Sequence, residues 1–131
     1  AGTDIVSKKI REFREFSKSN NFTFLINLSP ENYITLIANA TCLVGNSSSF
    51  IREGSKLGKP AIIVGNRQNN RELGNNIIRS SFNILEINKK IDMQIKKKIR
   101  PQNIYGDGNA SEKILKIIEK IDLNLIKTIT Y

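Results

Sequence analysis

An α/β fold with a parallel sheet and helices on both of its faces is predicted by three observations. Short apolar runs alternate with segments of helical period, each run is closed by glycine or a polar loop, and Ser, Pro and Gly stand where helices start and stop. At 131 residues, the chain is read as one domain spanning 1–131.

Val6, Ile10 and Phe13 recur at helical spacing with Lys8, Lys9, Arg11 and Arg14 off that stripe, which predicts an amphipathic helix over 4–18. Phe22, Phe24 and Ile26 alternate with Thr23 and Leu25 and predict a strand ending at Asn27-Leu28. Ser29-Pro30-Glu31 starts a second helix, running to about Ala40. Cys42-Leu43-Val44, closed by Gly45, is expected to be a strand buried on both faces. After the polar loop Asn46 to Ser49, a third helix is expected from Phe50 to Leu57, stopped by Gly58. Ala61 to Val64 is the next strand and Gly65 to Gln68 its exit loop. Further on, Asn76 to Ile78 and Phe82 to Leu85 suggest strand pieces, and the Ile91, Ile95, Ile99 stripe predicts a helix over 88–100, ended by Pro101. Asn109-Ala110-Ser111-Glu112 matches a capping box before a last helix through Ile114, Ile117, Ile118 and Ile121.

Composition removes much chemistry. The chain has no histidine, so Ser-His-Asp and Cys-His nucleophile systems and histidine metal sites cannot be built from it alone, and no metal or other cofactor is expected. The single Cys42 excludes an intrachain disulfide and fits a reducing, cytoplasmic setting. No apolar run suggests a membrane span and nothing resembles an export signal. With 21 Lys and Arg against 12 Asp and Glu, the net charge of +9 favours anionic partners. The opening Ala1-Gly2-Thr3, without Met, is read as a sign of a processed or longer protein.

Ligands of parallel sheets bind beyond the carboxyl ends of the strands. Three loops meet that condition here: Leu28-Ser29, Gly45 to Ser49 and Gly65 to Gln68. Ser47, Ser48 and Ser49 lie between a strand and a helix start, where free amides and the helix dipole attract an anion, and the same run also reads as a plain helix cap. The loop lacks the Walker A pattern, so a phosphate cradle without metal is expected. Glu53, a few residues along the helix, can accept from a ribose diol or can pair with Arg52 or Lys56. Arg67 and Arg71 can pair with a diphosphate or stay solvated. Lys96-Lys97-Lys98 with Arg100 is expected to be a solvated helix face, because no aromatic residues interleave as a nucleic-acid stacking platform requires.

The stretch VGNSSSFIREGSKLGKPAIIVGNRQNNRELG, Val44 to Gly74, with YGDGNASEKI from Tyr105, resembles the carboxyl-terminal half of UDP-N-acetylglucosamine 2-epimerases. Even Ala1-Gly2 resembles the end of a family turn. The Gly65-Asn66-Arg67-Gln68 loop is similar to the hydrolysing branch, since non-hydrolysing members carry a Thr-Thr-Glu-Arg-Pro-Glu type loop there. The resemblance implies the Rossmann-like, nucleotide-holding half of a GT-B architecture whose amino-terminal catalytic half is missing. It also implies a nucleotide-sugar ligand: Ser47, Ser48 and Ser49 at the diphosphate, Glu53 at the ribose hydroxyls, Arg67 at the UDP and the backbone around Leu28 at the uracil. In such enzymes UDP is eliminated to leave a 2-acetamidoglucal, which water converts to N-acetylmannosamine for sialic-acid-type sugars. The proton-transferring groups come mainly from the other half, so nucleotide binding without turnover is expected here. Homo-oligomers are usual in the family.

Two departures stand out: Phe50 and Asn70 occupy places where the family has glycine. A benzyl group beside a phosphate site is expected either to block it or to turn into the helix packing, and a return to Gly to raise affinity if the site is otherwise intact. Alternatives are the donor half of a GT-B glycosyltransferase, a GDP-sugar 2-epimerase, a folded remnant that binds nothing, and a basic nucleic-acid-binding module, for which the lysine run and net charge alone speak.

Overall fold

The structure, a computed structural model, describes residues 3–17 and 20–121, so Ala1-Gly2 and Lys18 lie outside it. The chain divides into two compact units, Ala1–Pro30 and Glu31–Tyr131.

In the first unit, α1 spans Thr3–Phe16, as its apolar stripe predicts, and Lys9 pairs with Glu12 at 2.7 Å. Residues 22–26 are not a strand in any ladder, which corrects the expectation for this segment. The alternation is still used. Phe22 packs edge-on against Phe13, with ring centroids 4.9 Å apart, and Phe24 lies 6.4 Å from the same ring. Period-two spacing puts both rings on one side of an extended segment, but β structure also needs a hydrogen-bonded neighbour, and among the described residues this segment pairs with no strand.

The second unit is the α/β part. In order it holds α2 (Pro30–Asn39), β1 (Leu43–Gly45), α3 (Ser48–Lys56), β2 (Ala61–Val64), β3 (Ile77–Ser80), α4 (Ile84–Gln94) and α5 (Ala110–Ile118). The strands form one parallel sheet in the order β1-β2-β3, with Leu43 opposite Ala61 and Ala61 opposite Ile77. Side chains alternate across a strand, so Leu43, Ala61, Ile63 and Ile77 share a face, where they cluster with Ile37 of α2 and Ile51 of α3. Ile62 points to the opposite face and is also fully buried, and α4 packs on β2 and β3. Among the described strands, β2 alone is buried on both sides: Val44 is 42% exposed, contrary to expectation, and β1 is a three-residue strand at the edge of the described sheet.

Two buried amides tie the strand starts together. Gln94 Nε2 donates to Ala61 O at 3.0 Å and to Asn76 O at 2.9 Å, and Asn76 Nδ2 donates to Lys59 O at 2.9 Å. Helix α3 stops as its sequence predicts. Gly58 follows Leu57 with φ +62, and a Cβ there would lie 2.5 Å from Ile99 O, so no other residue fits without backbone movement.

The carboxyl-terminal elements differ most from expectation. Residues 82–85 are not a strand piece but the entry to α4, which is capped by Asn83 Oδ1 accepting from Leu85 N (2.9 Å) and Glu86 N (3.1 Å). The helix ends at Gln94 and does not run over 88–100, so Ile99 and Lys97 to Arg100 are irregular and Pro101 stops nothing. At α5, Asn109 makes no side-chain cap, contrary to the capping box. Its amide instead donates to Asp107 Oδ1 at 3.1 Å, while Lys113 pairs with Asp107 at 2.8 Å.

Candidate functional site

The candidate site lies at the carboxyl ends of β1 and β2, where the chain leaves the sheet by two loops. The first is short, since α3 begins at Ser48, two residues earlier than expected. Ser47 is the N-cap, with extended backbone (φ −73, ψ 138), and its hydroxyl accepts from Ser49 N at 3.3 Å. The capping reading of this serine therefore holds, and the helix dipole keeps its positive end beside it. The hydroxyls of Ser48 and Ser49 sit in the first turn, where the amides have no intrahelical carbonyls to meet.

Glu53 stands one turn past Ser49 on the same side of α3 and is partly buried. It lines a cleft of about 320 Å³ with Arg52, Lys56, Ile34, Tyr105 and the Gly106 to Gly108 turn. The tail that closes this cleft is tied both to α3 and to the loop after β2. Gln102 N donates to Ser55 O at 3.0 Å, Lys56 Nζ to Asn103 Oδ1 at 2.6 Å, and Tyr105 Oη to Glu72 O. The segments 44–74 and 105–108, far apart in sequence, thus meet along one helix. Asp107 at this edge has its carboxyl pulled down to about 2, mainly by the hydrogen bond from Lys113 and then by the Asn109 amide.

The second loop, 65–76, joins β2 to β3 without a helix. Gly65 opens it at φ +80, under the ring of Phe82, which a Cβ would approach to 2.6 Å. Gln68 is 5% exposed and its Nε2 donates to Asn46 O at 2.9 Å, joining this loop to the residue before the Ser47 cap. Arg79 of β3 holds the same loop from behind, donating from Nη2 to Asn69 O at 3.0 Å and Gln68 O at 3.3 Å. Arg67 and Arg71 are exposed, and among the described residues Arg67 makes no ion pair or hydrogen bond, with Ser47, Ser48 and Glu53 or with anything else.

The structure therefore joins Ser47, Ser48, Ser49 and Glu53 on one helix and links the Arg67 loop to its start. Leu28 belongs to the other compact unit, where it is 36% exposed, just after Asn27 at φ +56. Phe50 turns into the packing. It is partly buried against the core cluster, and its Cε2 would touch a Cβ at Gly45 at 3.2 Å. Gln68 and Arg79 were not singled out as site-builders by sequence, although Gln68 stands in the Gly-x-Arg-Gln signature, which was the signal available. Among the described residues no group of His, Cys, Asp and Glu could hold a metal ion, and no helix is long and apolar enough to cross a membrane.

The sequence profile of the family described as UDP-N-acetylglucosamine 2-epimerase matches residues 2–119. The chain is 32% identical over 117 residues to the UDP-N,N'-diacetylbacillosamine 2-epimerase (hydrolyzing) of Legionella pneumophila, a match covering 88% of this chain and 31% of that protein. It is 33% identical over 81 residues to the UDP-N-acetylglucosamine 2-epimerase of Neisseria meningitidis serogroup B, covering 62% of this chain and 20% of that one. The polysialic acid biosynthesis protein P7 of Escherichia coli is 35% identical over 77 residues, 59% of this chain and 19% of its own length. The chain thus spans about a third or less of these relatives. With nearly its whole length matched and the Gly-Asn-Ser-Ser-Ser and Gly-x-Arg-Gln elements brought to neighbouring strand ends, the chain belongs to the UDP-N-acetylglucosamine 2-epimerase family.

Proposed function

We propose that this chain is the UDP-holding part of a hydrolysing UDP-N-acetylglucosamine 2-epimerase, an enzyme that converts UDP-N-acetylglucosamine to N-acetylmannosamine and UDP. The carrying observation is the junction of loops: Gln68 reaches Asn46 O at 2.9 Å, so the exposed, unpaired Arg67 is on a loop fastened to the serine-rich start of α3. Amides, hydroxyls and a free guanidinium near one helix end suit a diphosphate. Glu53, one turn along, suits the ribose hydroxyls. The hydrolysing branch is supported by the Gly65 to Gln68 loop and by the Legionella relative whose name carries that reaction.

In this function the chain acts electrostatically. When the C1–oxygen bond of the sugar breaks, negative charge gathers on the departing UDP, and fixed donors lower the cost of that charge. Without histidine, the proton transfers at C2 and the activation of water fall to the rest of a longer protein, and no metal is needed. We take that longer protein to be a cytoplasmic homo-oligomer. Calorimetric titration with UDP, GDP and a mixed-sequence oligonucleotide tests the assignment. Selective UDP uptake, weakened about tenfold or more in Arg67→Ala, is expected. Absent UDP binding, or equal uptake of GDP, would overturn it.

A further inference from the structure

Gln68 is an uneconomical residue where it stands. It is nearly fully buried, its Nε2 has one acceptor, Asn46 O, and its Oε1 has no partner among the described residues. A buried carbonyl left unpaired costs free energy that an apolar side chain of similar size would avoid. The net gain from one such bond is small. The bond from Nε2 does something else: it fixes Asn46, and through it the Ser47 cap, against the loop that carries Arg67.

That loop is anchored in turn. Arg79 donates to the carbonyls of Gln68 and Asn69, so the amide projects from a backbone already fastened to β3. A continuous path runs from Arg79 through Gln68 to Asn46 and the Ser47 cap. Its two ends of interest, the serine amides and the Arg67 backbone, are held in register. Groups held in place before a ligand arrives need not be ordered by it, and that saving goes into affinity.

We infer that Gln68 is a positioning residue that clamps the serine loop to the arginine loop and so preorganises the grip on the diphosphate of a nucleotide. The inference rests on the nucleotide reading above and adds to it a residue that touches no ligand. The clamp acts on the phosphates, not on the nucleoside, so its loss separates UDP from uridine.

Two variants of the 131-residue chain test it. Gln68→Leu keeps the volume and removes the donor. It is expected to weaken UDP about tenfold while uridine, followed by chemical-shift titration, changes less than about twofold. Its thermal midpoint stays level or rises, whereas a residue serving only stability would lower it. Gln68→Glu presents oxygen to the Asn46 carbonyl at neutral pH and also loses UDP. Burial raises the carboxyl's pKa, so on moving from about pH 8 to about pH 5 it protonates and donates where Nε2–H did. The variant to wild-type ratio of UDP dissociation constants then falls. Unchanged UDP affinity in both variants, equal losses for UDP and uridine, or a ratio flat with pH would overturn the clamp. Amide exchange without ligand keeps the two claims separate. Faster exchange at Ser48 to Phe50 in Gln68→Leu supports the clamp even if wild type fails to take up UDP, a result that would sink the nucleotide reading alone.

Discussion

Phe50 shows how one side chain's direction changes what a substitution does. Read from sequence, a benzyl group beside the serines threatens the phosphate site, and a return to glycine promises affinity. In the structure the ring lies against Gly45 and the core cluster. The expected consequence of Phe50→Gly moves from affinity to stability. Lost burial and a glycine in the first turn of α3 should together cost about 2–4 kcal/mol, read as a lowered urea midpoint. UDP affinity should change less than about threefold, within the reach of a small backbone adjustment. Gln94 invites a second experiment at this scale. Gln94→Leu would strip Ala61 O and Asn76 O of their shared donor while relieving the unpaired Gln94 Oε1. Neither carbonyl is orphaned by the change, since Asn76 O still accepts from Ala61 N at 2.8 Å and Ala61 lies in the β2–β3 ladder, so two lost second bonds against one relieved oxygen should leave a net change within about 1 kcal/mol in chemical denaturation.

At the scale of elements, α4 is where local chemistry outvoted periodicity. The isoleucine stripe placed a helix six residues too late at its end, while the start signal was present: Asn83 followed three residues on by Glu86. Asn83→Ala should cost about 1 kcal/mol, seen as a lower melting temperature. Glu86 adds a pH dependence. Hydrogen bonds from Lys90 and then Ser81 hold its carboxyl down to about 2 from an ordinary 4.5. A depressed carboxyl stabilises the fold above its unfolded value, and that stabilisation fades as pH falls from about 4.5 towards 2. Glu86→Gln should therefore flatten the acid limb of the stability curve in that window, and an unchanged limb would contradict the pairing. The elements around the site were largely legible: α3, β2 and the loop positions follow from Gly58, the apolar run at 61–64 and the polar residues between. The unpaired segment 22–26 was not, because alternation reports which side chains share a face and says nothing of whether another strand is there to bond. Nor could spacing show that Gln68 would reach Asn46, since the two are 22 residues apart and meet only through sheet register.

Across the whole molecule, charge and site are separate features. The excess of cations, +9, would suit any polyanion, and its densest run, Lys96 to Lys98, lies past the end of α4. Lys97 and Lys98 line a groove with Lys59, Thr41 and Pro60, residues at or just before the starts of β1 and β2. The serines and Arg67 leave the opposite ends of those strands. Polyanion attraction and nucleotide binding should therefore respond to different changes. An oligonucleotide held by several lysines releases a counterion for nearly every phosphate it neutralises, so its affinity should fall by orders of magnitude between about 50 and 500 mM salt. UDP, with few charges in fixed contacts, should lose less than about tenfold over the same range. Replacing Lys97 and Lys98 together by Glu should weaken any residual oligonucleotide attraction and leave the UDP dissociation constant within about twofold. If UDP instead follows the oligonucleotide in both salt slope and response to the double variant, the nucleotide is being held by the general positive field, and the strand-end site is not the one in use.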